Sequence, residues 1–221
     1  GFSLVDFNRA GVPLMELVTE PVIESGAEAV NFAKELQLFL QYLRVSEANM
    51  EKGQMRIEAN ISVSDTGKLG TKVEVKNINS FRAVGKAIDF EFERQTALLL
   101  KGDKVVQETM GWDENKAVTF SQRRKESSSD YRYFPEPDLP KLKLSEVKDF
   151  SEKKLKKLLP ELPPQKRSRY KKNFGLKSED IEIYVGDRLI GKFFEDSVSG
   201  WISLKEEEIK LASNYIISDM L

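Results

Sequence analysis

The sequence contains neither cysteine nor histidine. Without cysteine there is no disulfide framework and no thiolate metal site. Without histidine there is no imidazole base and no imidazole ligand, so any metal must be held by carboxylate and carbonyl oxygens, the donor set of a hard cation such as magnesium. No apolar run is long enough to cross a bilayer and no signal-peptide pattern is present, so no membrane partner is expected. Strong charge of one sign is also missing. Thirty-five Lys and Arg face 36 Asp and Glu, a formal net charge of -1. Any nucleic-acid contact must then come from local patches and not from a global field.

What is present reads as a soluble globular chain of 221 residues with 40% hydrophobic and 32% charged residues, enough for one large domain or two smaller ones. Strands are predicted over Ser3 to Asn8 and Leu14 to Thr19, around a turn at Gly11-Val12-Pro13. Ser25 and Glu28 form a capping box for a helix whose apolar face is predicted from Phe32, Leu36, Phe39, Leu40 and Leu43. From Met55 to Ser64 apolar and polar residues alternate. After turn residues Asp65 to Lys68, Thr71 to Ile78 return as a second strand, a hairpin with one apolar and one polar face. Asn79 or Ser80 caps a helix with Phe81, Val84, Ile88, Phe92 and Leu99 inward, ended by Gly102. Short strands follow near Val105–Thr109 and Ala117–Gln122. The segment Ser127 to Pro140 is rich in aromatics, prolines and carboxylates, which suits an ordered loop. Beyond it the pattern is short amphipathic helices with breaks at Pro160, Pro163-Pro164, Gly175 and Gly200, the last helix capped by Ser203 and Glu206. The expected division is 1–142, mixed α+β, and 143–221, all helix.

Three groups of residues could carry chemistry. Glu16 lies in a stretch that reads as a buried strand, where a lone carboxylate needs a cation: a metal, or an ion pair with a neighbour such as Arg9. Glu58 shares a strand face with Arg56 and Asn60, opposite Lys72, Glu74 and Lys76. That face is either an ordinary solvated surface or a platform on which carboxylates hold magnesium while Lys and Arg neutralise phosphoryl oxygens. The proline-stiffened loop Asp130 to Asp138 can present Arg132 and Glu136 in fixed positions, or serve only as a strap. Basic clusters, among them Lys153-Lys154, Lys156-Lys157, Lys166-Arg167 and Lys171-Lys172, are either a solvated helix face or contacts to nucleic-acid phosphates. No phosphate-binding P-loop, kinase-like glycine loop or hydrolase elbow occurs.

Leu4 through Pro21, Asn49 through Arg56, Gly70 through Phe81, Gln107-Glu108-Thr109 and Asp130 through Asp138 together closely resemble the signature of the B-subunit family of tRNA-dependent amidotransferases. The resemblance implies a cradle-like, mostly antiparallel sheet with helices, of the glutamine synthetase and guanidino kinase type, followed by an all-helical domain. It implies that ATP with magnesium phosphorylates the side-chain carboxylate of Glu-tRNA(Gln) or Asp-tRNA(Asn). Ammonia from a glutaminase A subunit then displaces the phosphate, and a small C subunit joins the pair. In this reading Glu16, Glu58, Arg56, Lys72, Glu74 and Lys76 are catalytic, and Glu16 and Glu58 are the magnesium ligands. Asp6, Asn8, Arg9, Asn60, Asn79, Ser80, Arg132, Tyr133 and Glu136 line the ATP and substrate pocket, and Lys166, Arg167, Lys171 and Lys172 meet tRNA. The family's N-terminal region and C-terminal tail domain are not in this sequence, so the 221 residues alone are expected to be inactive. The implied setting is the bacterial cytoplasm, with mitochondrion or plastid as the alternative. Two rival readings stand beside this one: a non-catalytic module bridging partner and tRNA, and the archaeal-type E-subunit paralogue.

Overall fold

A computed structural model describes residues 2–8, 10–124, 138–199 and 205–220, with the side chains of Arg123 and Arg124 excepted. Four strands, β1 (Ile57–Ile61), β2 (Val73–Ile78), β3 (Glu108–Asp113) and β4 (Val118–Arg124), form one sheet in that order. β1–β2 and β3–β4 are antiparallel, while β2–β3 is parallel because α2 (Phe81–Leu100) crosses between them. Before β1 lies α1 (Gly26–Tyr42). After the sheet come α3 (Glu152–Leu158), α4 (Pro163–Phe174), α5 (Ser178–Gly186), α6 (Arg188–Ser199) and α7 (Glu206–Asp219). The order is therefore a mixed, mostly antiparallel region followed by helices, as the sequence predicts.

The helix starts follow capping chemistry. Ser25 Oγ accepts Glu28 N–H at 3.2 Å, and Glu28 Oε2 accepts Glu24 N–H at 2.8 Å, one residue earlier than a standard capping box. Ser80 Oγ accepts Ala83 N–H at 3.1 Å. The helical run breaks between Leu158 and Pro163, and Pro163 opens α4 at its first turn. α7 begins at Glu206, where Glu208 Oε2 accepts Lys205 N–H at 2.8 Å. The predicted Ser203 cap and the Gly200 break lie outside the described residues.

Three sequence expectations are corrected. Residues 3–8 and 14–19 form no strands: the segment is extended and almost wholly exposed, with Leu4, Phe7, Leu14, Met15 and Val18 all open to solvent. An alternating pattern becomes a strand only where a neighbouring edge supplies hydrogen bonds, and none of the described strands pairs with this segment. Next, β3 covers Glu108–Asp113 and not Val105–Thr109, so Gly111 sits inside the strand. A Cβ there would come within 2.5 Å of the Phe120 ring, its cross-strand partner, so glycine is needed for close approach and not for a turn.

The last correction concerns which helix faces are buried. On α1 the buried residues are Gly26, Ala29, Ala33 and Tyr42, while Phe32 is exposed. A Cβ on Gly26 would stand 2.5 Å from Gly85 O, so small residues let α1 and α2 cross closely. On α2 the inward stripe is Ala83, Val84, Ala87, Glu91 and Gln95, with Phe92 and Leu99 turned outward. Two polar side chains, Glu91 and Gln95, take inward places instead of Phe92 and Leu99 because the core holds a hydrogen-bonded cluster. Glu91 accepts from Arg94 Nη2 (2.6 Å) and Nε (2.9 Å), from Gln95 Nε2 (2.9 Å) and from Thr119 Oγ1 on β4 (3.0 Å).

Around this cluster, Ala59, Val73, Val75, Ile78, Met110 and Trp112 of the sheet pack against Ala29, Ala83, Val84 and Ala87. A second core joins Tyr170, Leu176, Ile181, Tyr184, Val185, Phe194, Val198 and Ile216. Its rings meet edge-on, except Tyr184 and Phe194, which stack at 4.5 Å. Burial pushes the Tyr42 phenol up to about 12 and raises those of Tyr170 and Tyr184 as well. Raised folded-state values stabilise the fold below the ordinary value of 10.0 and stop doing so as pH climbs through the folded ones. Melting temperature is therefore expected to drop steeply between pH 10 and about 12, and Tyr42→Phe is expected to soften that drop in a thermal-melt series.

Candidate functional site

The polar side of the β1–β2 hairpin is assembled by a bulge. Pairing steps from Ile57↔Ile78 to Ala59↔Val75, so β2 holds one extra residue there. Asn77 absorbs it with φ 59, a left-handed backbone that asparagine tolerates better than most residues. As a result Val73, Val75 and Ile78 all reach the core, while Glu74 and Lys76 stay on the other face. There Lys76 Nζ lies 3.3 Å from Glu58 Oε2 and 3.4 Å from Glu74 Oε1. Thr109 Oγ1 of β3 donates to Glu74 Oε2 at 3.2 Å. Desolvation pushes the Lys76 ammonium down, but the two carboxylates and their hydrogen bonds outweigh it and hold it above the usual lysine range. Lys76 is thus charged throughout the physiological range.

Three further residues belong to this face and were not singled out from sequence. Thr109 is buried against Glu74, and Phe120 and Gln122 of β4 close over Gly111. Thr109 ended one of the family-like motifs, a signal that could have found it. Phe120 and Gln122 gave no signal, because only the strand pairing places them there.

The other expected site residues are distributed as follows. Asn60 is exposed and pairs across the ladder with Glu74. Arg56 and Lys72 are exposed just before β1 and β2. Asn79 and Ser80 line a cleft of about 260 Å³ with Gln37, Asn49, Met50, Glu51 and Phe81. Asp6 and Asn8 are exposed, with Asn8 N–H donating to Asp6 Oδ1 at 2.9 Å. Glu16 is exposed on the extended segment, not buried in a strand as expected. Arg9, Arg132, Tyr133 and Glu136 lie outside the described residues. Among the described residues no group of three or more acidic side chains is placed to hold a metal. Glu58, one of the two expected ligands, is engaged by Lys76. This donor set does not by itself fit a magnesium site.

The basic cluster of α4 divides in two. Lys166 is buried, 3.3 Å from Glu195 Oε1 and near the faces of Tyr42 and Tyr170. Arg167 donates two hydrogen bonds to Glu35 of α1 (2.7 and 2.9 Å) and two to Glu182 of α5 (2.7 and 2.9 Å). These two hold α4 against its neighbours, contrary to the expectation of an open tRNA contact. Lys171 and Lys172 remain exposed. Tyr42 Oη donates to Val185 O at 2.9 Å and Arg188 Nη1 to Gln41 O at 2.8 Å, so α1 is fastened to the helical region along its last two turns.

A mixed sheet with one polar, cation-bearing face, backed by two helices and followed by a helical region, has the makings of a catalytic domain with an attached helical unit. Residues 1–148 match the family described as the GatB/GatE catalytic domain. Similar curated proteins include the B subunit of the aspartyl/glutamyl-tRNA(Asn/Gln) amidotransferase of Crocosphaera subtropica, 48% identical over 220 residues, and that of Rippkaea orientalis, 46% identical over 220. The corresponding protein of a Picosynechococcus strain is 45% identical over 221 residues. Each alignment covers 99% of this chain and 43% of the relative, so the chain spans less than half the length of the proteins it matches. The chain belongs to the GatB/GatE catalytic domain family.

Proposed function

We propose that this chain is part of a B subunit of a tRNA-dependent amidotransferase, whose polar sheet face activates the side-chain carboxylate of Glu-tRNA(Gln) or Asp-tRNA(Asn) for amidation. The observation that carries the reading is the Lys76–Glu58–Glu74–Thr109 constellation on that face, within a chain 45–48% identical to B subunits. The fold is read as a cradle of the glutamine synthetase and guanidino kinase type over residues 1–142, with the helical unit over 143–221. ATP is the phosphoryl donor. A carboxylate attacking the γ-phosphorus gathers negative charge on the phosphoryl oxygens, and a fixed ammonium offsets it without reorganising. Lys76 is the ammonium on this face: Glu58 and Glu74 fix its position, and a phosphoryl oxygen would share it with them. Asn60 and Lys72 supply further donors, and Asn79 and Ser80 stand at the neighbouring cleft.

Magnesium, when bound, would supply further charge neutralisation. The described donor set does not build its site, so the reading rests on the lysine-bearing face. Glu16 keeps its assignment as a family-like carboxylate, to be decided by substitution. Of the four α4 residues expected to meet tRNA, Lys171 and Lys172 are the exposed ones. The partners proposed are a glutaminase A subunit and a C subunit, and the cyanobacterial relatives favour a bacterial cytoplasm over an organelle. Those relatives are B subunits, which favours that reading over the E-type paralogue.

The reaction itself is the test. The complete enzyme, given glutamine and Glu-tRNA(Gln) or Asp-tRNA(Asn), is expected to form the matching amide only when ATP is present. Amide formation without ATP, or none with either tRNA, overturns the proposal.

A further inference from the structure

The end of α1 holds a cation that its backbone disfavours. Arg44 N–H donates to Gln41 O and Val45 N–H to Leu40 O, both at 3.1 Å, the pair of bonds that closes a helix when the residue after its C-cap is left-handed. That position is normally glycine or asparagine. Here it is Arg44, with φ 56. A side chain is strained there relative to glycine, and such strain at an exposed cation points to a use for the side chain.

Arg44 lines a cleft of about 910 Å³ formed by the end of α1, the segment before α4 and the start of α6. Arg188, Lys166 and Lys192 line it too, with the carboxylates Glu47, Glu161 and Glu195. Most of these charges are already matched. Glu195 is held by Lys166 at 3.3 Å and Arg169 at 2.8 Å, Glu161 by Arg169 at 2.6 Å, and Lys192 by Asp196 at 2.6 Å. Among the described residues, neither Arg44 nor Arg188 reaches a carboxylate within 4.0 Å. Two unmatched guanidinium groups therefore face one unmatched carboxylate, Glu47. Arg188 is fixed as well: Nη1 donates to Gln41 O, and its guanidinium lies 5.4 Å from the centre of the Tyr42 ring. Its remaining N–H groups are left for an outside acceptor.

We propose that this cleft binds a backbone phosphate of the tRNA substrate between Arg44 and Arg188. The inference rests on the tRNA reading above and names a site for it. A phosphate matches the forked donors of arginine, and the Arg188–Tyr42 stack beside it offers a flat surface to a neighbouring nucleotide. ATP and inorganic phosphate share that chemistry, so the test separates the sources.

Arg44→Gly is the informative variant, because glycine suits the left-handed backbone and removes only the side chain. In the complete enzyme it is expected to melt at or above the wild-type temperature. Its tRNA dissociation constant is expected to rise about tenfold, the loss of one charge-assisted contact. The slope of log affinity against log salt should flatten by about one. Adding Arg188→Ala should weaken tRNA binding further. A wild-type slope and affinity in the double variant overturn the assignment, and so does a loss confined to ATP or phosphate binding. A wild-type enzyme that binds no tRNA at all instead removes the substrate reading on which the site depends.

Discussion

Replacing Lys76 with methionine is expected to lower kcat/KM for ATP-dependent amide formation by about 10²- to 10³-fold, the scale of losing one preorganised group that stabilises transition-state charge. The methionine keeps the length of the aliphatic stem and removes only the charge between Glu58 and Glu74. Lys76 is 38% exposed on its side chain, so the melting temperature should change little. The pH behaviour follows from the direction of its shift. Because the carboxylates hold the ammonium above its usual range, the lysine-dependent part of the rate should be flat across neutral pH and lost only in strong alkali. A Lys76→Met enzyme with wild-type kcat/KM, measured in the complete complex, would show that this face is an ordinary solvated surface.

Glu91→Ala should have the largest effect on stability, a loss of about 3–5 kcal/mol, since removing one partner of a buried pair leaves the others uncompensated. Glu91 is fully buried and accepts four hydrogen bonds, so its removal strands Arg94, Gln95 and Thr119 together. A single domain has only about 5–15 kcal/mol in total, so the variant should sit near the edge of folding. Denaturant titration measures this directly. The double variant Glu91→Met with Arg94→Met should recover part of the loss, because replacing both members by apolar groups removes the stranded charge. A Glu91→Ala loss below about 1 kcal/mol would contradict the cluster's role in joining α2 to β4.

Both residues illustrate how far the sequence could be read. Lys76 was legible: alternation over Met55 to Ser64 and the period-two spacing of Lys72, Glu74 and Lys76 put Glu58, Glu74 and Lys76 on one face, and the structure keeps them there. The bulge at Asn77 was not legible, yet it keeps Ile78 in the core, because an odd insertion in a period-two pattern leaves no mark in composition. Glu91 was missed for a related reason. Apolar periodicity on α2 favoured Phe92 and Leu99, and nothing local announces that a glutamate will meet Thr119 from a strand 28 residues away. On α4, a run of basic residues reads the same whether it faces solvent or, like Lys166 and Arg167, is consumed by Glu195, Glu35 and Glu182.

By itself the sequence determined the order of elements from α1 onward, the capped starts of α1 and α2, the alternating hairpin and the family. Each of these rests on neighbours within a few residues or on an ordered string of them. Tertiary structure alone decided which helix faces turn inward, which strands pair in parallel, that residues 3–8 and 14–19 find no described strand to join, and which cations are already matched. Those outcomes depend on groups far apart in the chain, whose contacts form only once small residues such as Gly26 and Gly111 let the backbones and rings approach.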